Sequence, residues 1–577
     1  MYSDEKNVRI LIALLKQKNI KQVVLSPGGS DAPVVKSFEN DNFFACHSVV
    51  DERSSVFYAV GLSQEIKEPV VCVCTSGTAV SNFLSGMTEA FYQEVPIIAV
   101  TTDSSPFNLG QLELQKLNQE EILKDVVRKV VTLPAINSDW DEWHCNRIIN
   151  EALLELDHHG MGPVHINVLI TKSLACNTEK LEVQRVISRT YTHSADYVDY
   201  AKRLVGKKIL VVVGENTDIN SDELESLNKF FNRYDCAFNI ETISNLRCNG
   251  CVTTYPVTET GCATQKSELV PDIVISIGNF VASYLLKPFL RSNRCHIENW
   301  LIHENGTVRD PYWCLTDIIE GSHADFFEKI CKIPVELTKT HTLYNSWKSA
   351  IEKVDLGELG FSILGVAKIL SETLPDNSIL HTAILNSTRV MQFFPPRNNV
   401  KCYCNLGALG IDGCTPTAIG HSMASDKLTY LLIGDLSFFY GMNAISIRGL
   451  KNNLRIILCN NGGGEEFKIK LPLPNLDQFV CARSNHRIAK GWVESLGFEY
   501  RTANSIEEVA NVLKEFAQPS DNSLFLELFF DIEDDAKLIR NIYASNRPNL
   551  SATELIKVGV AKVLPQPVLN QIKKILK

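Results

Sequence analysis

The chain has 577 residues, with 57 Lys and Arg against 67 Asp and Glu, and a net charge of -10. At roughly 100–200 residues per domain it holds about three or four domains. Its 45% hydrophobic and 21% charged residues exclude a largely disordered chain, a collagen-like fibre and a small disulfide scaffold.

An acidic chain without a long basic run is a poor binder of nucleic acid or of a membrane surface. Neither is expected as a partner. No segment approaches the ~18 consecutive apolar residues of a membrane span. Residues 1–20 are interrupted by Asp4, Glu5, Lys6, Arg9 and Lys16, while Ile10, Leu11, Leu14 and Leu15 fall at helical spacing. This predicts an amphipathic helix and no signal peptide.

Apolar runs at 23–25, 70–74, 97–100 and 165–169 read as strands, with helical patterns between them. A second strand–helix unit begins near Lys208, with strands at 209–214 and 273–278. A charged, irregular stretch at 338–346 suggests the next boundary. A third unit follows, with strands at 379–380, 428–433, 456–459 and 524–528, then a polar helical tail over 534–577. Such alternation predicts three layered α/β domains with parallel sheets. The expected borders are 1–185, 186–340 and 341–577. The 17 cysteines are scattered; Cys72 with Cys74 and Cys402 with Cys404 form C-x-C pairs without a matching His or Cys cluster. Buried reduced thiols and a cytoplasmic location are expected.

The most informative segment is 430–467. An apolar strand ends in Gly434-Asp435-Leu436-Ser437, and a second ends in Asn460-Asn461-Gly462-Gly463-Gly464. Asp435 and Asn461 stand 26 positions apart. That separation accommodates one crossover, so both ends open at the same edge of a parallel sheet. A carboxylate and an amide oxygen are hard ligands suited to Mg²⁺ (or Mn²⁺), which usually shares phosphate oxygens. The glycines allow close approach of a bound group and offer a carbonyl, at Gly463, as a further ligand. Ser437 can donate to a phosphate at the helix start, where free N–H groups also face the anion.

This pattern resembles the diphosphate motif of thiamine diphosphate enzymes. Asn405-Leu406-Gly407-Ala408-Leu409-Gly410-Ile411-Asp412-Gly413, Gly434 to Phe438 and the triple glycine are most similar to one branch. That branch is the 2-succinyl-5-enolpyruvyl-6-hydroxy-3-cyclohexene-1-carboxylate synthases of menaquinone synthesis. The resemblance extends to Ser26-Pro27-Gly28-Gly29, Asp51-Glu52-Arg53, Thr75-Ser76-Gly77-Thr78-Ala79 and residues 89–103, and is weak in the middle domain. It implies a thiamine diphosphate-binding fold and a homodimer or homotetramer with active sites at the subunit interface. It implies that Asp435, Asn461 and the Gly463 carbonyl hold the metal. Ser76, Gly77, Thr78, Gly434, Leu436 and Ser437 would line the cofactor, with Ile411 as the bulky residue beneath it. Glu52 would be the glutamate at the pyrimidine N1′ that activates the cofactor, largely buried and with a raised pKa. The implied reaction is decarboxylation of a small 2-oxo acid donor, with transfer of the acyl anion equivalent to an acceptor or release of an aldehyde.

The chain departs from that branch where arginines are expected to meet anionic substrates. Ser30, Ser104, Leu406 and Met391 stand at those positions, and Glu465 and Glu466 precede Phe467 where an apolar residue is usual. Gln115 and Gln119 are retained, and Arg389 and Lys116 are cations that could take over. The expected substrate-side residues are Ser30, Gln115, Ser387, Arg389, Glu466 and Phe467. These losses predict a donor other than 2-oxoglutarate. The alternatives are the synthase activity itself, on 2-oxoglutarate and isochorismate, and a non-catalytic cofactor-binding homologue. Retention of Glu52, Asp435 and Asn461 speaks against the last.

Overall fold

Alternating apolar runs and helices build three parallel-sheet α/β domains in the computed structural model of the chain. It describes residues 1–171, 174–215, 219–262, 266–335, 340–396, 399–470 and 488–547. The first sheet contains β1 (Gln22–Ser26), β2 (Ala45–Ser48), β3 (Val70–Cys74), β4 (Ile97–Asp103), β5 (Lys129–Leu133) and β6 (Val164–Leu169). Their order is β2-β1-β3-β4-β6-β5, all parallel. A sheet covered on both faces favours continuous apolar strands, and every residue of β3 is buried. The helix Lys6–Gln17 lays Ile10, Leu11, Leu14 and Leu15 into the core on one face, as its spacing predicts. The helices Glu52–Ile66 and Thr78–Tyr92 bring apolar side chains to the other. Those two helices pack closely at Gly86, where a Cβ would lie 2.5 Å from Val56 Cβ.

The middle region begins with β7 (Ser188–Tyr191). It continues through β8 (Ile209–Val213), β9 (Cys236–Asn239), β10 (Cys251–Val252), β11 (Ile273–Ile277) and β12 (Glu298–His303). Strands β10-β9-β8-β11-β12 pair in parallel in that order. Then β13 (Leu315–Glu320) returns to pair with β7. The chain accordingly packs as two compact units, 1–195 with 303–321, and 196–302 with 322–577.

The third sheet contains β14 (Ile379–Thr382), β15 (Lys401–Tyr403), β16 (Thr429–Gly434), β17 (Leu454–Asn460), β18 (Glu499–Ala503) and β19 (Leu524–Phe529). It is ordered β15-β14-β16-β17-β19-β18, again all parallel. Of the expected tail, Ile532–Asn546 is helical, and 548–577 lie outside the described residues. Of the expected boundary at 338–346, residues 338 and 339 also lie outside them, and Thr342–Glu352 is a helix. Among the described residues, no helix is long and apolar enough to cross a membrane.

Candidate cofactor and metal site

Strands β16 and β17 pair with Gly434 opposite Cys459. Asp435 and Asn461 therefore leave neighbouring strands at one sheet edge, the edge where ligands of open α/β sheets bind. Asp435 opens the helix Asp435–Tyr440 and is only 2% exposed. Burial pushes its carboxyl up to about 6, against backbone N–H groups led by that of Leu436. Its Oδ1 accepts the Leu436 N–H at 2.8 Å, and its Oδ2 is buried without a hydrogen-bond partner. Both Asp435 and Asn461 line one cavity, together with Gly434, Leu436, Ser437 and Gly463. A carboxylate oxygen withdrawn from water without a partner is costly. Beside an amide oxygen it forms a hard donor set that fits a divalent cation.

The Asn461 amide is oriented by its neighbours. Its Nδ2 donates to Glu465 Oε2 at 3.1 Å, while its Oδ1 accepts the Gly463 N–H at 3.3 Å. Glu465 Oε2 also accepts from Asn386 Nδ2 at 3.0 Å. Glu465 is 3% exposed, and burial together with the charge of Asp535 pushes its carboxyl up. It thus acts as an internal brace, where its residue type alone had suggested an added charge facing substrate. Asn386 and Asp535 carry no sequence signal that singles them out. The i, i+4 spacing of Asn461 and Glu465 is the one clue that could have linked that pair.

The Ser437 hydroxyl donates to the Ile411 carbonyl at 2.5 Å. It ties the loop carrying Ile411 to the start of the Asp435 helix, and Ile411 lines the same cavity. Leu385, another lining residue, holds a φ of 66°, a conformation rare outside glycine that accumulates at functional sites. Ser387 lines the cavity too. Arg389 and Glu466 form an ion pair and line a narrow adjoining cleft. The Arg389 guanidinium also lies over the Tyr284 ring, 4.8 Å from its centroid. Phe467 is half-buried and stands outside the residues lining the cavity.

In the first unit, the Ser26-Pro27-Gly28-Gly29, Glu52 and Ser76–Thr78 segments follow β1, β2 and β3 at the corresponding sheet edge. Glu52 begins the helix Glu52–Ile66, and its Oε2 accepts from Asn82 Nδ2 at 3.1 Å. It is half-buried, short of the largely buried state expected. The physical reason is its place in the first helical turn between exposed Asp51 and Arg53. Gly77 needs its glycine, with φ +80° and a would-be Cβ 3.3 Å from Gln115 Cβ. Its N–H donates to Gln119 Oε1 at 3.1 Å. Gln119 also donates to the Thr102 carbonyl and Asn167 Oδ1, so it braces the strand ends. Gln115 is exposed, Ser76 is buried and Thr78 starts the following helix.

Where arginines are expected, the charges are absent or already paired. The Ser30 hydroxyl meets Thr75 Oγ1 at 2.6 Å and Thr102 Oγ1 at 2.9 Å. Lys116 Nζ lies 2.6 Å from Asp103 Oδ1, both side chains under a tenth exposed, and also donates to the Ser104 carbonyl. Lys116 and Arg389, the two expected substitute cations, are thus each committed to an internal carboxylate.

Residues 6–122 match the model of the thiamine pyrophosphate enzyme N-terminal binding domain. Along nearly its whole length the chain is similar to proteins named 2-succinyl-5-enolpyruvyl-6-hydroxy-3-cyclohexene-1-carboxylate synthase. That of Phocaeicola vulgatus is 36% identical over 94% of this chain and 99% of its own. That of Bacteroides thetaiotaomicron is 35% identical over the same shares. The protein of Porphyromonas gingivalis is 30% identical over 94% of this chain and 97% of its own.

Proposed function

Because the chain belongs to the 2-succinyl-5-enolpyruvyl-6-hydroxy-3-cyclohexene-1-carboxylate synthase family of thiamine diphosphate enzymes, we propose that it is a metal-dependent carboligase. It decarboxylates a 2-oxo acid donor and transfers the acyl anion equivalent to an acceptor. The full-length likeness to proteins named as synthases favours ligation over aldehyde release. It favours the synthase reaction itself, on 2-oxoglutarate and isochorismate, over a general decarboxylase.

The observation that carries the reading is the unpartnered, buried Asp435 Oδ2 in a cavity shared with an oriented Asn461. Bound thiamine diphosphate supplies an electron sink at its thiazolium C2, which lets a 2-oxo acid lose CO₂. Asp435, Asn461 and the Gly463 carbonyl would hold Mg²⁺ or Mn²⁺ against the diphosphate. Glu465 fixes which face of the Asn461 amide is offered to the metal. Glu52 would hold a proton at the pyrimidine N1′. Ile411, steadied through Ser437, would support the cofactor from below. We assign domain limits of 1–185, 186–340 and 341–577, a cytoplasmic location and a homodimer or homotetramer. The Glu52 helix, half-buried in one chain, would then be covered by a second.

One observation favours a second reading, with a donor less charged than 2-oxoglutarate. Arg389 is neutralised by Glu466, and Lys116 by Asp103, so neither is open to a second substrate carboxylate without breaking a pair. The two readings separate in one assay. Protein loaded with thiamine diphosphate and Mg²⁺ is given 2-oxoglutarate or pyruvate, with and without isochorismate, and CO₂ and products are measured. Turnover of 2-oxoglutarate with isochorismate supports the synthase reaction. Release from pyruvate alone supports the second reading. No release from any 2-oxo acid overturns both and leaves the non-catalytic homologue.

A further inference from the structure

The sequence Cys248-Asn249-Gly250-Cys251 forms a tight turn in the middle domain, leading into β10. The two sulfurs face each other at 3.3 Å. Gly250 holds φ +81°, and a Cβ there would lie 2.2 Å from the Phe231 ring. This position therefore requires glycine, and the turn that juxtaposes the two sulfurs depends on it. The turn is pinned by the Asn249 N–H, which donates to Asn228 Oδ1 at 2.9 Å. It is closed by the Cys251 N–H, which donates to the Cys248 carbonyl at 3.4 Å. The Cys248 N–H in turn points at Cys251 Sγ, also at 3.4 Å. Both cysteines are half-buried.

We infer that Cys248 and Cys251 are a reversible dithiol–disulfide site, oxidised by small-molecule disulfides of the glutathione class. The sulfurs already stand 3.3 Å apart, and bond formation closes that gap to the ~2.05 Å of a disulfide. Their chemistry is unequal in the required sense. The hydrogen bond from Cys248 lowers the Cys251 thiol pKa, helped by the Cys248 N–H and the nearby Arg247 charge, and raises that of Cys248. By contrast, burial pushes the Cys72, Cys145 and Cys402 thiols up, which leaves them inert.

Cys251 Sγ, as thiolate, attacks one sulfur of the small disulfide. That S–S bond breaks, and one small thiolate leaves and takes up a proton. Cys248 Sγ then loses its proton and attacks Cys251 Sγ in the mixed disulfide, releasing the second small thiol. Two protein thiols are oxidised and one external disulfide is reduced to two thiols.

The test uses the full chain, reduced, desalted and incubated with glutathione disulfide before remaining thiols are alkylated. The tryptic peptide covering 248–266 should lose two hydrogens, with fragmentation placing the bond between Cys248 and Cys251 and not at Cys262. Dithiothreitol should reverse the loss. In Cys248→Ser the second step is blocked, so a glutathione adduct should accumulate on Cys251. In Cys251→Ser no bond can form within the turn, so the loss of two hydrogens between positions 248 and 251 should vanish. Both variants are half-buried and isosteric, and folding is checked by circular dichroism. A peptide that stays fully reduced, a bond to Cys262 instead, or no adduct on Cys251 in Cys248→Ser overturns the assignment.

Discussion

At Asp435 a carboxylate is held almost out of water with one oxygen unpaired, an arrangement that gains most from a cation. Asp435→Ala removes that oxygen. A charged interaction of this kind is worth ~1.5–3 kcal/mol, so thiamine diphosphate affinity in the presence of Mg²⁺ should fall about 10- to 100-fold. Calorimetric titration checks this, and wild-type binding should itself disappear with a chelator. Glu52→Gln tests the other half of the site. The variant should fold and bind cofactor normally, while C2-proton exchange of the bound cofactor, followed by NMR, slows by ~10²–10⁴-fold. Glu466→Gln releases Arg389 from its ion pair. Preference for 2-oxoglutarate over pyruvate, read as a ratio of kcat/KM values, should then rise by about tenfold or more. An unchanged ratio would separate Arg389 from donor recognition. Asp435 and Asn461 were legible in the sequence because their chemistry and their place at strand ends are local properties. The commitments of Lys116 to Asp103 and of Glu465 to Asn386 were not, because each joins residues that only the folded chain brings together.

In the first and third sheets the interior strands announced themselves and the edge strands did not, whereas in the middle domain the interior strand β9, buried throughout, also went unread. Val70–Cys74 and Leu454–Asn460 are buried at every position, and 70–74 and 456–459 read as continuous apolar runs. Ala45–Ser48 has no fully buried residue, and Ser188–Tyr191 is polar and only partly covered, so neither carries a pattern strong enough to read. The same limit hides polar joints between elements. Glu241 is 1% exposed, and its two oxygens accept the N–H groups of Ala282 at 2.6 Å and Ser283 at 2.8 Å. Burial nevertheless raises its pKa from an ordinary 4.5 to about 7. The folded value lies above the unfolded one, so the folded chain binds the extra proton in that window. Stability from this group is fully present below pH 4.5 and is lost as pH rises through about 7. The shift corresponds to roughly 3 kcal/mol at most. Glu241→Gln cannot titrate. Its apparent Tm should therefore fall less steeply than that of wild type between pH 5 and pH 8, in thermal melts of the cofactor-free protein.

At the scale of the whole molecule, the helices around Glu52 present a surface poorly suited to water. Phe57 and Tyr58 are 45% and 46% exposed on the Glu52–Ile66 helix, Leu84 is 39% exposed on Thr78–Tyr92, and Val50 is 79% exposed just before them. The exposed face of Thr78–Tyr92 consists of Thr78, Ser81, Asn82, Leu84, Ser85, Glu89 and Tyr92, with one charge among them. Large apolar side chains left exposed on two packed helices, one of whose faces carries a single charge, mark this face as a site for interaction. It also surrounds the one carboxylate whose proposed role requires removal from water. Both features are explained if a second copy of the chain covers this face, as the family resemblance implies. A stable interface buries ~800 Å² per partner, and its energy concentrates in a few large side chains at the centre. Tyr58→Glu combined with Leu84→Glu places two charges there without touching the core. The wild type should sediment as a dimer or tetramer, and the variant should keep its circular dichroism spectrum but sediment as a monomer. It should also lose thiamine diphosphate binding, because Glu52 would then remain in contact with solvent and the cofactor would be held by the third domain alone. A variant that stays associated, or a monomer that binds cofactor with wild-type affinity, would place the subunit interface elsewhere and make each chain's site self-sufficient.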